Sequence, residues 1–152
     1  MNSSERGFSV FKFLFGVALA GFLIVNGWLI GNAYYVNSKA QHCFELLTQS
    51  MPKASVAAAR AKLDDLFHLQ YLYKDDLPSE FYDELRIKAT GEMLEVSSSY
   101  HVTIWPVGKV ENVDQDDTYD PDALTGMDAI RDTMRIDLNF KPYAISAADN
   151  PS

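Results

Sequence analysis

Residues Phe11 to Val36 read FKFLFGVALAGFLIVNGWLIGNAYYV, and beyond Lys12 the run carries no charged side chain. A helix needs ~20 consecutive apolar residues to cross the hydrocarbon core of a bilayer. The run meets that length, so whatever folds after it is expected to be tethered to a membrane. A cleaved signal peptide has an apolar region of only ~7–15 residues and a small-x-small site at its end. Here the run is longer, and the candidate site Gly31-Asn32-Ala33 leads into Tyr34-Tyr35. Such an aromatic pair suits a membrane interface. The expectation is a retained anchor over 11–36. Arg6, Lys12 and the amino terminus precede it, and only Lys39 follows closely. That bias places residues 1–10 in the cytoplasm and the C-terminal part outside, in the periplasm of a Gram-negative bacterium.

Small residues recur inside the anchor. Gly16, Ala20, Gly27 and Gly31 are spaced four, seven and four apart, which puts them on one helical face. Gly27-Trp28-Leu29-Ile30-Gly31 is a GxxxG segment, a pattern that lets a second helix approach closely. Asn26 adds a polar group near that face, and polar groups at membrane depth seek partners. Gly16, Ala20, Asn26, Gly27 and Gly31 are therefore the expected helix-packing interface. The expected partners are integral membrane subunits within the lipid bilayer, or a second copy of the chain as a homo-oligomer.

Composition narrows the rest. The chain has 152 residues, and little more than a hundred remain outside the anchor, enough for one small domain. A net charge of −8 with no basic face argues against a nucleic-acid partner. Cys43 is the single cysteine, which excludes an internal disulfide and a zinc cluster of several thiolates.

Past the anchor, Val36, Ala40, Cys43, Phe44, Leu47 and Met51 continue a three-four spacing. This predicts a helix extension over 37–51, broken at Pro52. Cys43 falls on its apolar stripe as a packing residue. A second, amphipathic helix is expected from Ala54 to His68, with Val56, Ala59, Leu63, Leu66 and Phe67 inward and His68 at its C-terminal end. Residues 70–84 read as an irregular connection, with a short strand at 70–73 or a helical turn at 79–82. Strand alternation follows: Leu85, Ile87 and Ala89, a turn at Thr90-Gly91-Glu92, then one long strand with Leu94, Val96, Ser98, Tyr100, Val102 and Ile104 on a single face. A last strand carries Met134, Ile136, Leu138 and Phe140, ended or bent at Pro142-Tyr143. The expected fold is α+β: a transmembrane helix extending outward, then a domain over 52–145 with one amphipathic helix on a three- to four-stranded antiparallel sheet. A loose tail over 146–152 is expected.

Between the last two strands, Glu111 to Ile130 holds seven acidic residues and no Lys or Arg. This reads as a long solvated loop, with a helical turn around 123–127. Asp114, Asp116, Asp117, Asp120 and Asp122 are the residues able to gather around calcium. However, counting from Asp114 there is no glycine at the sixth place and no glutamate at the twelfth, so no EF-hand is formed. Asp116, Asp117, Tyr119 and Asp120 are expected to contact a basic partner or neighbouring subunit. His101 lies between Ser99 and Thr103 on a polar strand face, but this spacing has no triad geometry and no nucleophile elbow. No catalytic residue and no cofactor are expected.

Two resemblances bear on function. Arg6-Gly7-Phe8-Ser9-Val10-Phe11-Lys12 resembles the start of type IV prepilins and pseudopilins, where a glycine precedes Phe or Met and a hydrophobic stem. That resemblance implies cleavage after Gly7; Lys12 stands where the family normally has a glutamate. The chain also resembles, over nearly its whole length, a family of small single-pass bacterial inner-membrane proteins of unknown function, often encoded near signal peptidase I and ribonuclease III. The shared features are the Arg6-Gly7-Phe8-Ser9 start, the single span, the Tyr34-Tyr35-Val36-Asn37-Ser38-Lys39-Ala40 exit, the helix after Pro52, and the hairpin with a final strand. The family's link between the last two strands is shorter, which makes 111–130 look like an insertion. No catalytic residues come with that resemblance. The function expected is a non-enzymatic membrane accessory or structural subunit; the alternatives are a pilin-like secretion or pilus component and a membrane-tethered divalent-cation-binding module.

Overall fold

The computed structural model describes residues 3–146, and the side chains from Ser9 onward. The element order is α1 (Ser3–Ser50), α2 (Val56–Leu69), α3 (Ser79–Asp83), β1 (Arg86–Ala89), β2 (Leu94–Ser97), β3 (Tyr100–Ile104), α4 (Met127–Met134), β4 (Ile136–Phe140) and β5 (Tyr143–Ile145). The protein is α+β, a long apolar N-terminal helix followed by short helices and small sheets. The chain forms two compact units. One comprises the chain up to Gly31 with Ile104–Ile136; the other comprises Asn32–Thr103 with the chain from Asp137.

α1 has 48 residues, or roughly 72 Å at 1.5 Å per residue. The hydrocarbon core of a bilayer is only ~30 Å thick. Its first half is bare: Phe11, Phe13, Phe15, Leu23, Ile24, Val25 and Trp28 are all exposed. A core helix of a soluble protein would bury such residues. α1 is thus long and apolar enough to cross a membrane.

From Ala33 onward the same helix has a covered face. Ala33, Ala40, Cys43, Phe44 and Leu47 are buried, as the three-four spacing predicts. α1 stops at Ser50, next to Pro52, whose ring cannot continue a helix. Ser55 then caps α2, its hydroxyl accepting a hydrogen bond from the Ala58 N–H at 3.2 Å. α2 buries Ala59, Leu63, Leu66 and Phe67. The centre of this core is Phe81 on α3, fully buried, with its ring 5.9 Å from Phe44, 6.1 Å from Phe67, 5.2 Å from Tyr82 and 5.5 Å from Tyr100. Tyr100 also packs on Phe140 at 5.3 Å, and its hydroxyl donates to Asn37 Oδ1.

The strands depart from the sequence expectation in three ways. The long strand expected over 94–104 is two strands in two sheets. β2 lies between β1 and β5, antiparallel to both, with Val96 opposite Ile87 on one side and Ala144 on the other. β3 pairs instead with β4. The switch falls at Ser98. Its N–H donates to the Pro142 carbonyl, and its buried hydroxyl donates to the Phe81 carbonyl at 2.6 Å. The inward alternation survives the break, with Leu94, Val96, Ser98, Tyr100 and Ile104 all buried.

Second, β4 ends at Phe140, as expected at Pro142-Tyr143, but the chain goes on: Tyr143–Ile145 forms β5, which joins the other sheet beside β2. Third, the loop expected to reach Ile130 ends earlier. The helical turn expected at 123–127 is a 3-10 turn at Pro121–Ala123, and Met127–Met134 forms α4. Met134, expected to open the last strand, is the final residue of that helix. Elsewhere, the connection over 70–84 contains a 3-10 turn at Lys74–Asp76 and α3, with no strand. Ser146, assigned to a loose tail, is buried: its hydroxyl donates to the Pro52 carbonyl and accepts from the Leu94 N–H, and its own N–H donates to the Leu94 carbonyl. The remainder of that expected tail, 147–152, lies outside the described residues.

Cys43 is fully buried, its thiol directed at the Leu66 carbonyl 3.7 Å away. Burial pushes this thiol up to about 11 from 9.0, slightly opposed by Lys39. The thiolate is the reactive form, so at pH 7.5 the folded protein should resist maleimide while the chain in denaturant reacts at once. Rapid native labelling would mean that the second half of α1 is not packed. Because the folded value is the higher one, stability is full below pH 9 and lost as pH rises through about 11. Cys43→Ala should flatten that alkaline decline.

Candidate functional site

The residues expected to bind a partner fall in two places. Gly16, Ala20, Gly27 and Gly31 are all exposed on α1. A Cβ added at Gly16, Gly27 or Gly31 would meet nothing within 4 Å. Among the described residues nothing covers the small-residue face, and a helix docking there would approach the backbone directly. Asn26 donates one amide hydrogen to the Phe22 carbonyl at 2.9 Å, one turn back; an Asn side chain carries a second N–H and a carbonyl oxygen besides.

The acidic segment is ordered by hydrogen bonds rather than fanned out freely. Asp128 on α4 accepts from the Glu111 and Asn112 backbone N–H groups, both at 3.1 Å, and from Arg131. The Glu111 N–H is the main cause that holds Asp128 below the usual carboxylate range, with the Asn112 N–H and Arg131 adding to it. Arg131 also pairs with Glu111 at 2.9 Å. Tyr119 donates to Asp132 and accepts from Arg135, both at 2.6 Å. Burial first, then the Asp132 bond, pushes the Tyr119 phenol up. Gly108 takes φ +97°, a conformation that side chains rarely adopt, and a Cβ there would lie 3.6 Å from Arg131 Nε.

Asp128→Asn should release the start of this segment. Hydrogen exchange at the Glu111 and Asn112 amides should rise by about tenfold or more, while exchange in β2 stays unchanged. A depressed carboxyl contributes stability that is present above its unfolded value and lost as pH falls through the folded one. The clamp should therefore hold at neutral pH and open only below pH ~4.

Of the residues expected at a partner-contact loop, Asp116, Asp117 and Asp120 are exposed, whereas Tyr119 is half-buried and engaged with α4. Asp114 and Asp117 belong to one tight turn: Asp117 N–H donates to the Asp114 carbonyl and Asp114 N–H to the Thr118 carbonyl. Asp117 sits at φ 55°, a conformation Asp tolerates better than most residues. Asp120 caps the next turn by accepting from the Asp122 N–H. Asp114, Asp116, Asp117, Asp120 and Asp122 are not drawn together: among the described residues no group of three or more His, Cys, Asp or Glu side chains is placed to hold a metal.

His101 faces Glu80, Nδ1 to Oε2 at 2.7 Å, and the same carboxylate accepts from the His101 N–H. Its neighbour Thr103 donates to Asp137. Histidine and hydroxyl are thus held by separate carboxylates. Sequence reasoning missed Gln41. Its amide closes the outer edge of β5, accepting from the Tyr143 N–H at 2.9 Å and donating to the Tyr143 carbonyl at 2.8 Å. Gln41 also lines a cleft of about 560 Å³ with Glu45, Lys53 and Glu92. Sequence reasoning also missed α4 and its two acid–base pairs. Their signal was present as Asp128/Arg131 and Asp132/Arg135, each three residues apart.

Compared with protein-family models, with curated proteins and with solved structures, the chain matches none.

Proposed function

We propose that this protein is a non-enzymatic, single-pass accessory subunit of an inner-membrane protein complex. Its amino terminus lies in the cytoplasm, α1 crosses the bilayer over Phe11–Val36, and the chain beyond lies in the periplasm. The observation that carries this reading is the open face of Gly16, Ala20, Gly27 and Gly31 on a helix whose first half nothing among the described residues covers. Without a hydrophobic driving force between helices in lipid, close backbone packing is what holds membrane subunits together. A face of small residues supplies it. The non-enzymatic reading draws on how the reactive side chains are used: Cys43 is buried, His101 pairs with Glu80, and Asp128 with Arg131. The resemblance to small single-pass inner-membrane proteins encoded near signal peptidase I and ribonuclease III fits the same reading. Crosslinking mass spectrometry on intact membranes tests it. Crosslinks between this chain and the loops of one multi-span protein are expected; crosslinks only to soluble proteins would overturn the reading.

A pilin-like component is the second reading. It is favoured by α1 itself, one unbroken helix with a bare apolar first half and a second half built into the core of a small α+β unit. The prepilin-like start at Arg6-Gly7-Phe8-Ser9 fits it as well. Intact mass of the protein from its own membranes separates the two. A chain beginning at Phe8 with a methylated amine establishes the pilin reading, and an intact N-terminus removes it.

A further inference from the structure

α4 is amphipathic with its order reversed. The side chains of Asp128, Arg131 and Asp132 are only 16, 19 and 20 % exposed, whereas Met127, Ile130 and Met134 are 58, 50 and 43 % exposed. The charged residues face the segment that α4 packs against, through the Glu111, Asn112 and Tyr119 contacts. At 3.6 residues per turn the three apolar side chains fall within an arc of roughly 60°. Their spacing of i, i+3 and i+7 is the one by which a helix anchors in an apolar groove.

We propose that Met127, Ile130 and Met134 seat in an apolar groove rimmed by Lys and Arg on another protein of the same membrane complex. This rests on the subunit reading above. Charge decides the occupant. Between Glu111 and Arg135 the chain carries eight acidic residues and two basic ones. Both arginines are spent inward, Arg131 on Glu111 and Asp128, Arg135 on Asp132 and Tyr119. Asp114, Asp116, Asp117, Asp120 and Asp122 remain exposed around the turns leading into α4. A helix that lies on lipid keeps Lys and Arg free on its polar face to reach phosphates, and α4 does not. A second copy docking face to face would set the same acidic segments against each other, a like-charge juxtaposition that costs affinity. A groove with a basic rim satisfies both the apolar stripe and the surrounding charge.

The test uses the full chain in its own membranes, with a benzophenone amino acid placed at Ile130 in one variant and at Leu23, which flanks the small-residue face of α1, in another. Ile130 points outward, so the substitution leaves the fold intact. The expected result is an Ile130 adduct with one protein, in which the crosslinked peptide is an apolar stretch flanked by Lys or Arg. Its yield should fall about tenfold in 0.5 M salt, as screening weakens the rim. Adducts to lipid alone, to a second copy, or to a peptide without basic flanks would each overturn the proposal, as would no adduct. If Leu23 captures a membrane protein while Ile130 does not, this proposal fails alone. If neither captures one, the subunit reading fails with it.

Discussion

Phe81→Ala should destabilise the unit built from Asn32–Thr103 and Asp137 onward by about 3–5 kcal/mol, the range for a Phe-to-Ala change in a packed core. The value should lie at the upper end. Phe81 is fully buried, stacked on Phe44, tilted against Phe67 and edge-on to Tyr82 and Tyr100, so four rings lose their common neighbour together. The surroundings collapse poorly, because the Phe81 carbonyl also accepts the Ser98 hydroxyl at the point where the chain leaves one sheet for the other. A small domain has only ~5–15 kcal/mol in total, so thermal unfolding should fall by roughly 15 °C or more. Phe81→Leu keeps most of the volume and should cost about half as much. Thermal melts of the full chain in detergent check both. A change within a few degrees for the alanine variant would mean that Phe81 is not the centre of the core.

Gly27→Leu with Gly31→Leu should abolish co-purification of partner subunits while leaving the protein itself folded. The two effects separate because a Cβ at either glycine meets nothing within 4 Å among the described residues. Leucine is also a better helix former than glycine, by ~0.8 kcal/mol at each site. Between helices the outcome reverses, since branched side chains hold two backbones apart that small residues allow to touch. Loss of partner recovery by tenfold or more, about 1.4 kcal/mol, is expected. The same pair of leucines at Gly21 and Trp28, off this face, should have little effect. Equal recovery from the Gly27/Gly31 variant would remove the small-residue face from the account.

Legibility in the sequence followed the range of the interactions involved. The C-terminal end of α1 and both ends of α2 were readable to within two residues, because the spacing of Val36, Ala40, Cys43, Phe44 and Leu47, and of Ala59, Leu63, Leu66 and Phe67, is a local signal that burial in one core then satisfies; α1 itself begins at Ser3, eight residues before the expected Phe11. The alternation from Leu94 to Ile104 was readable too, but not its division. A strand that changes partners keeps its inward face, and what breaks it at Ser98 is a carbonyl from Phe81 and another from Pro142, distant in sequence. β5 was missed for the same reason: Tyr143–Ile145 is three residues long and exists because β2 and Gln41 take up its two edges. α4 was hidden by composition. The acidic run before it suggested a loop, and its apolar side chains, pointing outward, gave no core to count. In the candidate sites, that Gly16, Ala20, Gly27 and Gly31 share one face of α1 was legible from spacing, and all four are exposed. The role of Tyr119 as an internal strut was not, since it depends on Asp132 and Arg135 arriving beside it.

The central claim is that α1 holds this protein in a membrane complex. The most direct measurement is the mass of the native protein extracted from its own membranes in mild detergent, read by native mass spectrometry. The account predicts an assembly containing this chain, with its anchor intact, bound to at least one larger membrane protein, and dissociated by the Gly27/Gly31 leucine variant. A lone chain at 17.1 kDa, unchanged by that variant, would contradict it.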